Sequence, residues 1–184
     1  MALTKVDISM LEDAGATGQV LTSDGTNWTS AAGHKILQVV SSSTGEYYTG
    51  TTRLPSDNTI PQITEGVAWT QLDRTITPAS SSNKLLFVVN VWLSSSVANA
   101  NISTALFKSG TASALSSGFD FVGSTGRILH TTIIHYEAAG ATSQLTFQVR
   151  SGTDQASTTR LNGDSSREHG GTMESSLTIW EIEV

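Results

Sequence analysis

"KLLFVVNVWLSSS", residues 84–96, decides how this chain folds. In extended backbone, successive side chains point to opposite sides. One side then carries Leu85, Phe87, Val89, Val91 and Leu93, and the other carries Leu86, Val88, Asn90 and Trp92. Both sides are largely apolar, so the stretch reads as a strand buried twice. A two-layer sandwich buries only one of them in its own core. The second needs a cover, and a neighbouring copy of the chain is the simplest one. Leu86, Val88 and Trp92 are therefore expected at an interface between copies.

The flanking sequence repeats the theme. In "TSQLTFQVRS" (142–151), Leu145, Phe147 and Val149 alternate with Thr146, Gln148 and Arg150, the pattern of a half-buried strand. "RILHTTIIHYE" (127–137) sets Leu129, Thr131 and Ile133 against Ile128, Thr132 and Ile134. Further strands are expected at 34–42, 46–52, 67–78, 101–110, 119–123, 157–162 and 176–184, separated by turn-forming residues. No helix is expected after residue 14. This spacing predicts an all-β fold, an antiparallel β-sandwich or jelly roll over residues 34–184.

Residues 1–33 are different. Residues 1–14 read as a weak helical or extended segment that would be marginal alone. "GATGQVLTSDGTNWTSAAG" (15–33) follows, small, polar and glycine-punctuated. "GQVLT" and "TNWTS" read as the arms of a small hairpin around "SDG". Its apolar mass is Val20, Leu21 and Trp28. A lone two-stranded hairpin is not stable in water. Three copies around an axis would close these residues on one another, so they too are expected at a trimer interface. The division is a connector at 1–33 and a sandwich head at 34–184.

Composition narrows the function. The chain has 184 residues and no cysteine, so it has no disulfide framework. "MALTKVDISMLEDAG" lacks the apolar run of a signal peptide, and no stretch is apolar for long enough to span a bilayer. A soluble protein that is not exported by the usual route is expected. Net charge is −6, which argues against nucleic acid and against a polybasic membrane patch. Charged residues make up only 14%, while there are 26 Ser and 26 Thr. That balance is familiar in extended β-rich structural proteins and unusual in a metabolic enzyme.

Chemistry-bearing motifs are absent. His130 and His135 lie five apart on one strand and face opposite sides, so they do not share a metal. There is no nucleophile elbow and no phosphate-binding glycine loop. Asp154 and Asp164 read as turn aspartates without calcium-ligand spacing. Glu181 and Glu183 read as solvated carboxylates on an edge strand. No catalytic residue, metal or cofactor is expected. Tyr47, Tyr48 and Trp69 are the aromatics not obviously committed to core. Tyr47 and Tyr48, with Asp154 and Asn162 from the later loops, are the candidate receptor contacts.

The connector resembles an element of tailed-phage tail-fibre and virion proteins, in Gly18, Gln19, Val20, Leu21, Ser23, Asp24, Gly25, Thr26 and Trp28. The second tryptophan usual in that element is replaced here by Ser30. "MALTKVDISML" is similar to the leader of such fibres. "TQLDRTITPASSSNKLLFVVNVWLSSS" and "SSLTIWEIEV" are similar to a β-domain at fibre ends, with Arg74 where that pattern has an inward apolar residue. The resemblance implies a homotrimeric, non-enzymatic virion protein assembled in a bacterial cytoplasm. Residues 1–33 would join it to other virion proteins, and the head would adsorb to a host-surface glycan or protein. A capsid cement or decoration protein is the alternative.

Overall fold

The computed structural model describes the backbone of Gln19–Ser23 and Trp28–Ala32 and all of residues 35–184. Contacts divide the chain into two units, Met1–Lys35 and Ile36–Val184. In the first, β1 (Gln19–Ser23) pairs antiparallel with β2 (Trp28–Ala32), with Ser23 opposite Trp28. The helical reading of 1–14, the 24–27 turn and the side chains of Val20, Leu21 and Trp28 lie outside the described residues.

The second unit is the expected all-β sandwich of two antiparallel sheets. Sheet one is built on β7 (Lys84–Ser95). β10 (Leu129–Ala138) pairs along one side of it. On the other side β13 (Ser175–Ile182) pairs with its first half and β12 (Thr159–Leu161) with its end. β3 (Ile36–Thr44) and β4 (Tyr48–Gly50) add outside β13 and β12 respectively. In sheet two, β11 (Leu145–Thr153) pairs with β8 (Ala100–Lys108), and β8 with β9 (Ser116–Val122). The other side of β11 takes β5 (Val67–Ala68) and β6 (Arg74–Ile76).

The inward faces are the apolar ones. Leu85, Phe87, Val89, Val91 and Leu93 are all fully buried, and they meet Phe147, Val149, Ile102 and Leu106 of sheet two. Phe87 and Phe147 touch across the layers with ring centroids 4.6 Å apart. Each large side chain so buried contributes about 1.5–3 kcal/mol.

The single strand expected at 67–78 is two strands with a turn between them. Ten residues, 67–76, oppose only seven, 145–151. The surplus loops out as a 3₁₀ turn at Thr70–Leu72. It carries Leu72, and Trp69 just before it, into the core. Trp69 is therefore a core residue and not an available platform.

The edge-strand reading of Glu181 is also corrected, because β13 lies between β3 and β7. Glu181 is 0% exposed. Its carboxylate accepts from Asn83 Nδ2 (2.6 Å), Gln38 Nε2 (2.6 Å) and the Ala79 backbone N–H (2.8 Å). Burial opposes its ionisation. The bonds from Asn83, Gln38 and the Ala79 and Ser80 backbone outweigh that and hold the carboxyl below its ordinary value. The residue pins the 77–83 turn to two strands of sheet one.

This turn marks one pole of the sandwich, shared with Ile36, where the second unit begins, and with Ile182 and Lys84. The opposite pole carries the 45–47, 96–99, 123–128, 154–158 and 162–174 connections. One long segment, 53–66, leaves the poles and crosses the outer face of sheet two. Leu54 and Ile63 pack there on Ala105, Phe107 and Ala114 in a second small core. Gly152 permits the crossing, since a Cβ there would lie 2.7 Å from Leu54 N and Thr52 O. Arg150 fastens the far end by donating to the carbonyls of Glu65 (2.7 Å) and Gly66 (2.8 Å).

Candidate interaction surface

Pairing register fixes what the outer face of sheet one presents. Val39, Trp180, Leu86 and Tyr136 stand side by side across β3, β13, β7 and β10. Ser41, Thr178, Val88 and Ile134 form the next row, and Ser43, Ser176, Asn90 and Thr132 the third. Thr132 Oγ1 donates to Asn90 Oδ1 at 2.8 Å in that row. Beyond it Trp92 stacks on His130, with ring centroids 4.2 Å apart and planes 23° apart.

The sandwich leaves this surface open. Ile134 is 68% exposed, Tyr136 53% and Val39 51%, while Leu86, Val88, Trp92 and Trp180 are half-buried. No Lys, Arg, Asp or Glu stands in these rows. Beyond the Leu86 row stands Lys84, at the edge of the face. Contiguous apolar area with charge confined to its edge is the character of an interface core and not of ordinary solvated surface. Leu86, Val88 and Trp92 are thus brought together on one face. Val39, Ile134, Tyr136 and Trp180 join them there, which sequence reasoning missed. The alternation of each strand was visible in the sequence, but which strands would be neighbours was not.

The candidate receptor residues do not form one site. Asn162 is 0% exposed, with φ 61°. Its N–H donates to the Trp92 carbonyl at 2.9 Å, and its Nδ2 to the carbonyls of Thr44 (2.7 Å) and Glu46 (3.0 Å). Its Oδ1 accepts from the Ser175 hydroxyl (2.6 Å), which in turn accepts from the Trp92 N–H (3.0 Å). Pairing of β7 passes from β13 to β12 at this point, and Asn162 and Ser175 complete the broken ladder. That is a structural role, and it corrects the reading of Asn162 as a receptor contact.

Tyr47 donates to the Asp164 carbonyl at 2.8 Å, and Tyr48 packs on the main core. Asp154 accepts from the backbone N–H (3.1 Å) and Nδ2 (3.3 Å) of Asn101. Asp164 pairs with Arg160, and Arg167 with Glu46 at 2.6 Å. These polar groups fasten the loops of one pole to one another. Among the described residues, no three His, Asp or Glu side chains gather in a way that could hold a metal ion. No described helix is long and apolar enough to cross a membrane.

No family model and no curated protein matches the chain by sequence. Solved structures share a loosely similar layout. Eiger TNF from S. frugiperda overlaps 79% of this chain and 93% of its own, at 10% identity and a TM-score of 0.41. The VP2 subviral particle protein of infectious bursal disease virus overlaps 88% of this chain at 12% identity and a TM-score of 0.39. This chain spans 41% of the length of that VP2. Likeness this distant carries no functional argument.

Proposed function

We propose that this chain is a non-enzymatic structural protein of a tailed-phage particle. It assembles as a homotrimer through the outer face of sheet one, with residues 1–33 joined to other virion proteins. The head adsorbs to the host surface. The observation that carries this reading is the apolar face built by β3, β13, β7 and β10, with charge only at its edge, which asks for a protein partner. Resemblance of the 15–33 connector to phage fibre elements supplies the virion and the number three. The loops of the pole opposite Ile36 stand farthest from the point where the chain enters the head, which suits them to face outward.

A capsid cement protein is the second reading. It is favoured by the engagement of Tyr47, Asp154 and Asn162 within the fold, which leaves these residues little to offer a receptor.

Light scattering on the full chain tests the assembly. The expected mass is three times the 19.4 kDa of one chain. Val88→Glu, which sets a charge in the middle of the apolar face, is expected to give single chains with unchanged circular dichroism. A monomeric wild-type protein would sink the proposal.

A further inference from the structure

The 53–66 segment does more than cover β8. Its crest stands over β9 and leaves two adjoining clefts on the outer face of sheet two. One, of about 430 Å³, is lined by Asp57, Asn58, Ile60 and Leu115 among others. The other, of about 340 Å³, reaches Pro55, Ser56, Ser103 and Phe119. Both include Asp57, Thr59, Pro61 and Ser117, so they are two halves of one groove. Each falls within the size range of small-ligand sites, about 300–1,000 Å³.

The walls state a chemistry. Hydroxyls of Ser56, Thr59, Ser103 and Ser117 supply hydrogen-bond donors and acceptors, and Asp57 supplies a carboxylate. No Lys or Arg lines either half, so nothing there attracts an anion. The Thr59 hydroxyl (2.6 Å) and N–H (2.8 Å) both donate to Asp57 Oδ1, which fixes the carboxylate in place. The same two bonds hold its carboxyl below the ordinary value, so it is an acceptor at neutral pH. At the rim stands Phe119, 67% exposed on a paired strand, opposite Ser103. An exposed aromatic ring on a paired strand beside hydroxyl side chains matches a ligand with an apolar face and a polar edge.

We propose that this groove binds a neutral saccharide, with the C–H face of a pyranose stacked on Phe119 and its hydroxyls bonded to Asp57 and Ser117. Its biological use rests on the adsorption reading above. A peptide adding to β9 would use the backbone edge of that strand. The polar groups here instead come from side chains on the strand's face and from the crest. The groove opens on the side of the sandwich opposite the apolar face of sheet one, so assembly and ligand binding do not compete.

Saturation-transfer NMR on the full chain tests this, with maltose, cellobiose, lactose and chitobiose as neutral probes and sialyllactose as the anionic one. At least one neutral disaccharide is expected to bind. Phe119→Ala, which removes the platform, and Ser117→Trp, which fills the groove, should each weaken it by about tenfold or more. Both positions are exposed, so circular dichroism and mass should not change. Binding of no neutral probe, binding that survives both substitutions, or a preference for sialyllactose would each overturn the proposal. Retention of labelled protein on bacterial cells is measured separately. Retention that persists in Ser117→Trp, with saccharide binding lost, would keep the groove and reject it as the adsorption site. Retention without any saccharide binding would reject the groove and keep adsorption.

Discussion

Glu181 is a single side chain on which one end of the head depends. Replacing it with alanine leaves the buried Asn83 carboxamide without its acceptor and frees the Ala79 N–H and Gln38, which keeps only the Thr77 carbonyl, a loss of about 2 kcal/mol. The pH dependence follows from the direction of its shift. Its folded value lies below the unfolded one, so its stabilisation is complete above the ordinary carboxylate range and fades as pH falls through the folded value. Urea midpoints of wild type and Glu181→Gln should therefore lie well apart at about pH 7 and draw together as the pH falls below the ordinary carboxylate range. A gap that stays constant would mean the carboxylate's charge is not what holds the turn. Asn162→Ala removes the side chain that bridges β12 to the Thr44 and Glu46 carbonyls and strains a left-handed backbone position. A loss of about 3 kcal/mol is expected by thermal or urea unfolding. Unchanged stability would instead return Asn162 to the candidates for ligand contact.

β7 offers a sharper contrast, because adjacent positions on it should fail in opposite ways. Phe87→Ala opens a cavity against Phe147 and should lower stability by about 3–5 kcal/mol while assembly persists. Val88→Glu, one residue on, should leave the fold intact and dissolve the assembly. If both destabilised equally and neither changed the mass, the outer face would be ordinary surface. The inward and outward faces of this strand were legible in "KLLFVVNVWLSSS", since a two-residue period needs no knowledge of neighbours. The identity of the neighbours was not legible. Trp180 joins Leu86 only because β13 enters between β3 and β7, a pairing set by tertiary packing. The same blindness made Glu181 look like an edge carboxylate. The bend at Thr70–Leu72 was hidden for a related reason, because it depends on how many residues the opposing strand provides. The groove escaped notice because its walls come from a loop and a strand that are far apart in sequence. Gly152→Ala tests the element that builds it. Contact with Thr52 and Leu54 should lift the 53–66 segment, seen as faster amide exchange there. Protection equal to wild type would show that the crossing is looser than described.

At the scale of the whole head, two sheets and one crossing segment give three kinds of surface: an apolar side, a hydroxyl-lined groove opposite it, and a pole of interlocked polar loops. The all-β class followed from alternation and turn spacing, with most strands within a few residues of where they were expected. What each surface does depends on the order in which strands lie side by side, and that order carries a consequence for manufacture. β3 is the first strand of the head to leave the ribosome, and β13, its neighbour among the described strands, is the last. Until β13 arrives, β3 waits with both backbone edges unpaired and with Ile36, Leu37 and Val39 in water. Sheet one therefore closes only once β13 has been made, in a slow, long-range step. A polar, hydroxyl-rich chain is well suited to that interval, because the strand left waiting has four Ser and Thr in a row at its far end, 41–44, to discourage the wrong partner.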